Sequence, residues 1–434
     1  MDCHKVFRIG FIGMGTVGQG VWKHLDCDRA RMQKRFGAQY ELVKASVRDI
    51  NKKRDISITR EQMTEDPYDV VNDDSIDIVC ELMGGTDRAL ELTLAALKKG
   101  KVVVSANKAV ICKHGAEIFE TAQKYGGKYF FEASVAGGIP IIKVLREGLV
   151  ANRFSLIYGI LNGTCNYILT RMERENAPYE AIVEDARRLG YVEADESLDL
   201  DGWDASHKIS ILAYLAHGVW VSPEREMLVE GIRGVKLEDI HWAAENGFRI
   251  KLVGAARKNG DSLFVSVYPA LLPTSDVVAN VNEVYNAVSL SGDVVGRTVH
   301  IGRGAGQDAT ASAVIADIAD AIKSLASSAP CVLSVAKDDN VHLASLEEVA
   351  GEFYMRIDVK DEAGVLAHVA SLLASEGISI ELLQQKKHGI EGRAWLLLTT
   401  HETSEAAISR ACEKLEKSSF TFEKPFVLRI LKNA

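Results

Sequence analysis

Hydrophobic and polar positions divide the chain into three regions with different periods. Over the first 145 residues, short apolar blocks at 6–12, 41–47, 76–82, 102–104 and 129–132 alternate with stretches of helical spacing. One such stretch runs through Val21, Trp22 and Leu25, another through Leu90, Leu94 and Leu97. Gly100 is placed to end the second as a left-handed cap. Strand, helix, strand in that order predicts an α/β domain built on a parallel sheet. From 146 the pattern changes. A strand at 155–161 leads into a helix opened by Asn162-Gly163-Thr164-Cys165-Asn166, and a helix at 179–189 stops at Gly190. Strand-like runs follow at 248–257, 263–268, 284–290 and 294–301, the last two flanking Ser291-Gly292-Asp293 as a hairpin signal. This reads as a mixed α+β sheet with helices on one face. The apolar helix at 314–325 is expected to pack back on the first domain, and 326–350 reads as a linker. From 351 the order is strand, helix, strand, strand, helix, strand, a ferredoxin-like βαββαβ module.

The first block runs directly into Gly13-Met14-Gly15-Thr16-Val17-Gly18 and then into a helix. Strand, GxGxxG and helix in sequence is the dinucleotide fingerprint of a Rossmann-type domain. Its glycines allow a tight turn and let a pyrophosphate approach the helix N-terminus. The second strand ends at Arg48 rather than at a carboxylate, with Lys52, Lys53 and Arg54 close by. That charge suits the 2′-phosphate of NADP, while the adjacent Asp49 keeps NAD open. The fourth strand delivers Asn107-Lys108 at its carboxyl end, where ligands of open parallel sheets bind, so Lys108 is a candidate contact. A second glycine cluster, Gly302, Gly304 and Gly306, precedes a helix and is a candidate phosphate or nicotinamide contact.

Residues 193–208 read EADESLDLDGWDASHK. Six carboxylates (Glu193, Asp195, Glu196, Asp199, Asp201 and Asp204) arrive before the first cation, Lys208. An acidic run is most often a solvated face. Here Gly202 and Trp203 interrupt it, and an apolar helical pattern follows at Ile209, Leu212, Ala213 and Leu215. Asp204 and Lys208 are one helical turn apart and share a face, an arrangement that suits proton transfer to a substrate oxygen as well as a plain salt bridge. Cys165, at a helix start, could be a small packing residue or a reactive thiolate.

Composition narrows the class. With 434 residues, 47% hydrophobic and 26% charged, the chain has the make-up of a globular enzyme of two or three domains. A net charge of −9 argues against a general nucleic-acid binder. No apolar run reaches membrane-spanning length, so no membrane partner is expected. The N-terminal MDCHKVFRIG lacks the features of a secretory signal. Seven cysteines without CxxC pairs fit reduced thiols in a cytoplasm, and no His/Cys spacing suggests zinc.

GMGTVG at 13–18, NKA at 107–109, EASVAGGIPII at 132–142, GILNGTCNYIL at 159–169, the acidic stretch and GRGAG at 302–306 occur in this order. Together they resemble homoserine dehydrogenases over roughly residues 5–325. The tail, with DEAGVL at 361–366, is similar to an ACT domain, an amino-acid-sensing module. The resemblance implies reversible NAD(P)H-dependent reduction of L-aspartate 4-semialdehyde to L-homoserine, on the route to threonine and methionine. It implies that Lys208 exchanges the proton of the substrate oxygen, that Lys108 is a second lysine at the reacting centre, and that Asp204 orients substrate beside Lys208. Glu193 and Asp199 would hold the amino acid, with Gly163 and Thr164 lining the same pocket. Cofactor contacts would be Gly13, Gly15, Thr16, Val17, Gly18, Arg48, Lys108, Gly190 and Gly306. A structural Na⁺ ion would lie at Glu132 and the carbonyls of Val135, Gly137 and Ile139. Threonine is the implied effector at Asp361, Ala363 and Gly364, and the assembly would be a homodimer or homotetramer. The implied domains are a Rossmann domain at 1–145 completed by 303–325, a substrate-binding and dimerisation domain at 146–302, and an ACT domain at 351–434. One departure is visible: Glu196 stands where the family commonly has proline after EAD.

Two rival readings make different demands. An acylating semialdehyde dehydrogenase would use Cys165 as its nucleophile. An amino-acid-sensing regulator with an inactive dehydrogenase body would have no need of Lys108, Asp204 and Lys208.

Overall fold

The computed structural model describes residues 5–189, 196–327 and 340–432. The chain folds into two compact units. The first comprises residues 1–154, 207–222 and 291–338, and the second residues 155–206, 223–290 and 339–434.

The first unit is built on a parallel sheet of β1 (Val6–Ile12), β2 (Gln39–Ser46), β3 (Met63–Thr64), β4 (Ile78–Glu81), β5 (Val102–Ser105) and β6 (Lys128–Phe130), in the order β3-β2-β1-β4-β5-β6. The strands are apolar on both faces because helices cover both sides. Ile9, Phe11, Ile78 and Val104 join Val21, Trp22 and Leu25 of helix Thr16–Cys27 in one core. Val314, Ile318 and Ile322 of helix Gln307–Ala326 complete that core. Strand order reverses between β1 and β4, which makes their carboxyl ends the crevice of this sheet. The edge strand β3 carries no periodic signal in two residues, and the sequence reading passed over it.

Among the boundaries that differ from expectation, two concern turns. The block at 129–132 ends as a strand at Phe130, and Glu132–Ser134 is a 3₁₀ turn. The hairpin signal at 291–293 marks a real hairpin, but Ser291 and Gly292 belong to its first strand and only Asp293 to the turn. β7 is Phe154–Ile160, β8 Leu228–Val229, β9 Phe248–Asn259, β10 Ser262–Pro273, β11 Tyr285–Gly292 and β12 Gly296–Arg303. The turn therefore sits at 293–295, where the Asn152 side chain accepts from the backbone N–H groups of Val294 and Val295 (3.2 and 2.8 Å). A side chain distant in sequence decides that turn.

In the second unit β9 and β10 form a long antiparallel hairpin, from Ser262 opposite Asn259 to Pro273 opposite Phe248. The C-terminal strands are β13 (His342–Leu343), β14 (Ala350–Lys360), β15 (Ile380–Lys387), β16 (Arg393–Thr400), β17 (Thr403–Ser404) and β18 (Phe426–Ile430). With helices Val365–Ser375 and Glu405–Glu416 they form the βαββαβ module, its sheet ordered β18-β14-β16-β15. This module is not a pendant domain. β18 pairs in parallel with β10, placing Ala270 opposite Arg429, so the two sheets are continuous. A buried ion pair secures the junction. The Arg356 guanidinium on β14 donates to Asp239 on helix Leu237–Glu245 (2.8 Å), and the Tyr354 hydroxyl donates to the same oxygen (2.8 Å). Losing one partner of such a pair costs about 3–5 kcal/mol, because the other is left charged in a dry site.

No helix among the described residues is long and apolar enough to cross a membrane.

Candidate active site

The glycine loop after β1 is shaped by backbone demands. Gly13 lies at φ +98°, and a Cβ there would stand 2.7 Å from the Leu82 carbonyl. A Cβ on Gly18 would meet the Gly13 carbonyl at 2.3 Å. Gly15 differs, since nothing lies within 4 Å of its Cβ position. It is the N-cap of helix Thr16–Cys27, and no side chain caps that end. The first N–H groups of the helix therefore face open space, as a pyrophosphate site requires. Thr16 and Val17 form the first turn. Gly306 (φ +114°) has equally open surroundings and begins helix Gln307–Ala326, again without a side-chain cap. The Gln307 amide donates to the Thr16 carbonyl (2.9 Å), so the two uncapped helix starts abut. These residues fit a dinucleotide. Arg48 is exposed just beyond β2, and Lys52 and Lys53 are exposed in the following loop. The Asp49 carboxylate is occupied locally, accepting from the N–H of Asn51 (2.8 Å).

The Asn107-Lys108 turn is held from below by a residue that the sequence reading missed. Glu81, at the end of β4, is fully buried; it accepts from the Ser105 hydroxyl (2.7 Å) and the Met83 N–H (3.0 Å). Burial is the main cause that pushes its carboxyl up to about 7. Ser105 in turn accepts from the Asn107 N–H (3.0 Å), while the Asn107 amide donates to the Gly85 carbonyl (2.8 Å). Asn107 also caps helix Lys108–Tyr125, which starts at Lys108 itself. An acidic residue ending a strand, three residues before the Gly84-Gly85 pair, was the available signal.

Lys208 lies on helix Trp203–His217, and both Asp204 and Lys208 are buried, at 7% and 8% exposure. That burial weakens the surface salt-bridge reading. The helix passes through the division between the units: Asp204 belongs to the second and Lys208 to the first. Within the first unit it packs on the helix that Lys108 begins. Tyr214 stacks on Trp220 (4.0 Å between ring centroids) and on Phe119 (5.7 Å). Gly115 makes room, since a Cβ there would stand 2.2 Å from the Trp220 ring.

In the second unit one side chain gathers the acidic residues. Asn162 caps helix Gly163–Glu175 by accepting from the Cys165 N–H (2.8 Å). Its amide nitrogen donates to Asp199 (2.7 Å) and to Asp204 (2.9 Å). Two carboxylates, forty residues away in sequence, are thereby fixed beside the start of a helix that also carries Gly163 and Thr164. Asn162 was legible as a cap but not as the hub of this cluster. A Cβ on Gly163 would press on the Val284 carbonyl at 2.9 Å, so the helix start lies flush against the strand β11 approach. Cys165 is buried, and its thiol donates to the Asp199 carbonyl (3.2 Å). Burial, then the charges of Asp199 and Asp204, raise its pKa well above the ordinary thiol value. A group in that setting is a poor nucleophile. Gly190 and Glu193 lie outside the described residues.

At the sodium candidate, both Glu132 carboxylate oxygens accept from backbone N–H groups, those of Ile142 (3.0 Å) and Lys143 (2.9 Å). Burial pushes this carboxyl up to about 7. The side chain thus serves the helix start at Ile141–Lys143, and each oxygen keeps a further lone pair that an ion could share with main-chain oxygens. The Ile139 carbonyl accepts from the Ile141 N–H (2.7 Å). Val135 and Gly137 are buried, and among the described residues no N–H donates to their carbonyls. Such oxygens fit a hard monovalent cation. In the C-terminal module, Asp361, Ala363 and Gly364 are exposed, and Gly364 (φ +93°) begins helix Val365–Ser375 without a side-chain cap.

Comparison with known proteins covers nearly the whole chain. Family models described as "Homoserine dehydrogenase, NAD binding domain", "Homoserine dehydrogenase" and "ACT domain" match residues 13–132, 140–319 and 353–419. The chain is 40% identical over 418 residues to a homoserine dehydrogenase of Pseudomonas aeruginosa, covering 95% of this chain and 96% of that protein. The crystal structure of a homoserine dehydrogenase from Thiobacillus denitrificans superposes with a TM-score of 0.92 at 38% identity, over 98% of each chain. A hyperthermophilic archaeal homoserine dehydrogenase solved with NADPH is similar at a TM-score of 0.62 and 27% identity, over 73% of this chain and 98% of that one. The chain, a nicotinamide-dependent oxidoreductase with a C-terminal ACT domain, belongs to the homoserine dehydrogenase family.

Proposed function

We propose that the protein reversibly reduces L-aspartate 4-semialdehyde to L-homoserine, with NADPH preferred over NADH. The observation that carries this reading is the Asn162 hub, which holds Asp199 and Asp204 at a helix start. A zwitterionic amino-acid substrate needs both features: carboxylates accept its ammonium, and helix N–H groups of Gly163 and Thr164 face its anionic end. Glu193 is assigned to the same task from the sequence resemblance. The bound nicotinamide supplies the hydride.

The protein's own residues perform the rest. Reduction of an aldehyde builds negative charge on its oxygen, and Lys208 neutralises that charge by giving a proton to it. Lys108 adds positive potential at the same centre. Asp204, one turn from Lys208, orients substrate and draws the ammonium of Lys208 toward the reacting oxygen. In the reverse direction Lys208 takes the hydroxyl proton. The preference for NADPH is supported by Arg48, Lys52 and Lys53, exposed beyond β2, and by the relative solved with NADPH. Gly13, Gly15, Thr16, Val17, Gly18, Gly190 and Gly306 complete the cofactor contacts, and a sodium ion is assigned to the carbonyls around Gly137. A homodimer or homotetramer, a cytoplasmic setting, and threonine acting at Asp361, Ala363 and Gly364 belong to the same reading.

The test is the initial rate of NADPH oxidation with the semialdehyde, repeated with NADH and with threonine added. Turnover with NADPH at least tenfold more efficient than with NADH is expected. Lys208→Ala should abolish turnover and leave NADPH binding, followed by nicotinamide fluorescence, nearly intact. Equal loss of cofactor affinity would sink the role given to Lys208. A folded wild-type protein without turnover would favour the amino-acid-sensing reading.

A further inference from the structure

The segment 228–236 touches two parts of the second unit. Toward the acidic stretch, the Ile232 N–H donates to the Leu200 carbonyl (2.9 Å). Gly231 lies so close that a Cβ would stand 2.0 Å from the same oxygen and 2.4 Å from the Asp201 Cα. Arg233 then spans the short helix Ser197–Leu200, donating to Asp201 on one side and to Glu196 (2.7 Å) on the other. Glu196 is also held by Arg187 (2.6 and 3.0 Å). The residue that stands where the family commonly has proline is therefore the outer anchor of the segment bearing Asp199. A proline would stiffen this position; a glutamate ties it to Arg187 and Arg233.

Toward the C-terminal module, the same segment makes a different set of bonds. Glu230 pairs with Arg429 of β18. The Gly234 carbonyl accepts from the Arg356 guanidinium of β14 (2.9 Å), and Lys236 donates to Glu423 (2.7 Å). Its floor is β10, through the Glu230 N–H donating to the Val267 carbonyl (2.8 Å). Residues 230, 234 and 236 thus face the module, and 231–233 face the acidic stretch. A shift of β14 or β18 relative to β10 has a direct mechanical route to Asp199.

We infer that Arg233 is a positioning residue for the carboxylates of Asp199 and Asp204, and that residues 228–236 carry the state of the ACT module to them. This rests on the substrate role proposed for Asp199 and Asp204. Its test uses the full chain and two readouts. The first is hydrogen exchange of the amides at 197–204, and the second is the KM for the semialdehyde beside the KM for NADPH. Arg233→Ala should speed exchange across 197–204 and raise the semialdehyde KM by about fivefold, the scale set by losing two partly exposed ion pairs. The NADPH KM and the Tm should stay unchanged, and Arg233→Lys should recover part of the loss. Glu230→Gln, whose side chain points to the module and not to the acidic stretch, should speed exchange at 197–204 in the same direction by about twofold. Unchanged exchange in Arg233→Ala would overturn the positioning role. Faster exchange spread uniformly, with a lower Tm, would overturn it too, as the mark of a merely structural residue. Normal exchange in Glu230→Gln would overturn the link to the module. The exchange arm does not need turnover, so a wild type inactive on the semialdehyde would fault the proposed reaction and not the role of residues 228–236.

Discussion

Replacing Asn162 by aspartate separates two jobs that one side chain performs. Aspartate is as good an N-cap as asparagine, so the Cys165 N–H keeps its acceptor and helix Gly163–Glu175 its start. What disappears is the amide nitrogen that donates to Asp199 and Asp204 at 2.7 and 2.9 Å. A hydrogen bond to a charged group contributes about 1.5–3 kcal/mol, so the two together amount to roughly 3–6 kcal/mol. A third carboxylate also arrives within hydrogen-bond distance of two others, at a Coulomb cost of about 4 kcal/mol for each close pair near a protein surface. The cluster relieves this by taking up a proton, so like-charge repulsion raises its apparent pKa. While all three are charged, the carboxylates needed to hold a substrate ammonium are pushed apart, and a proton on the introduced aspartate would restore a donor to them. Expected is a loss of at least about 100-fold in kcat/KM for the semialdehyde, equivalent to about 2.7 kcal/mol. The sign with pH follows. The repulsion is fullest at high pH and eases as the cluster protonates, so the deficit should shrink from pH 8 to pH 6. The assay is a pH series of initial rates with reduced nicotinamide saturating, beside cofactor titration. A wild-type KM for the semialdehyde, or a pH profile parallel to wild type, would refute the hub.

Three further outcomes follow from the buried groups. Glu81 has its carboxyl pushed up to about 7 from 4.5, so the folded state holds a proton that the unfolded chain has already released between those values. Stability therefore falls as pH rises from 4.5 to about 7, by about 3 kcal/mol for this group. Glu81→Gln removes that slope, and chemical denaturation should show the variant gaining on wild type from pH 5 to pH 8; a constant difference would contradict the protonated carboxyl. Glu132, raised for the same reason, leaves part of the slope in place. Cys165→Ser should keep activity within about threefold, because a buried serine can donate to the Asp199 carbonyl as the thiol does; complete loss would revive the acylating mechanism. Arg356→Met leaves Asp239 without its cation in a dry site and should lower stability by about 3–5 kcal/mol, read by denaturant unfolding. A change below about 1 kcal/mol would mean that Asp239 had found water or taken up a proton.

Much of this molecule was written locally. The strand-GxGxxG-helix order, the left-handed positions of Gly13 and Gly100 and the helix bounds at Val365–Ser375 depend on residues a few positions apart. Periodicity and backbone stereochemistry therefore decide them. The order of motifs was also enough to place the family. What the sequence left open involves partners distant along the chain. Asn162 reads as a cap from its neighbours, and only the fold brings Asp199 and Asp204 to its amide. The turn at 293–295 is closed by Asn152, which overrode the glycine signal two residues earlier. Glu81 and Glu132 look like ordinary acidic residues until burial removes their water and raises their pKa values. The tail reads as a separate module, yet β18 joins β10 in one sheet. Spacing along a chain fixes what each segment prefers to be. Desolvation and long-range pairing, which exist only once the segments are packed, decide which of their polar groups are charged, shared or held in place.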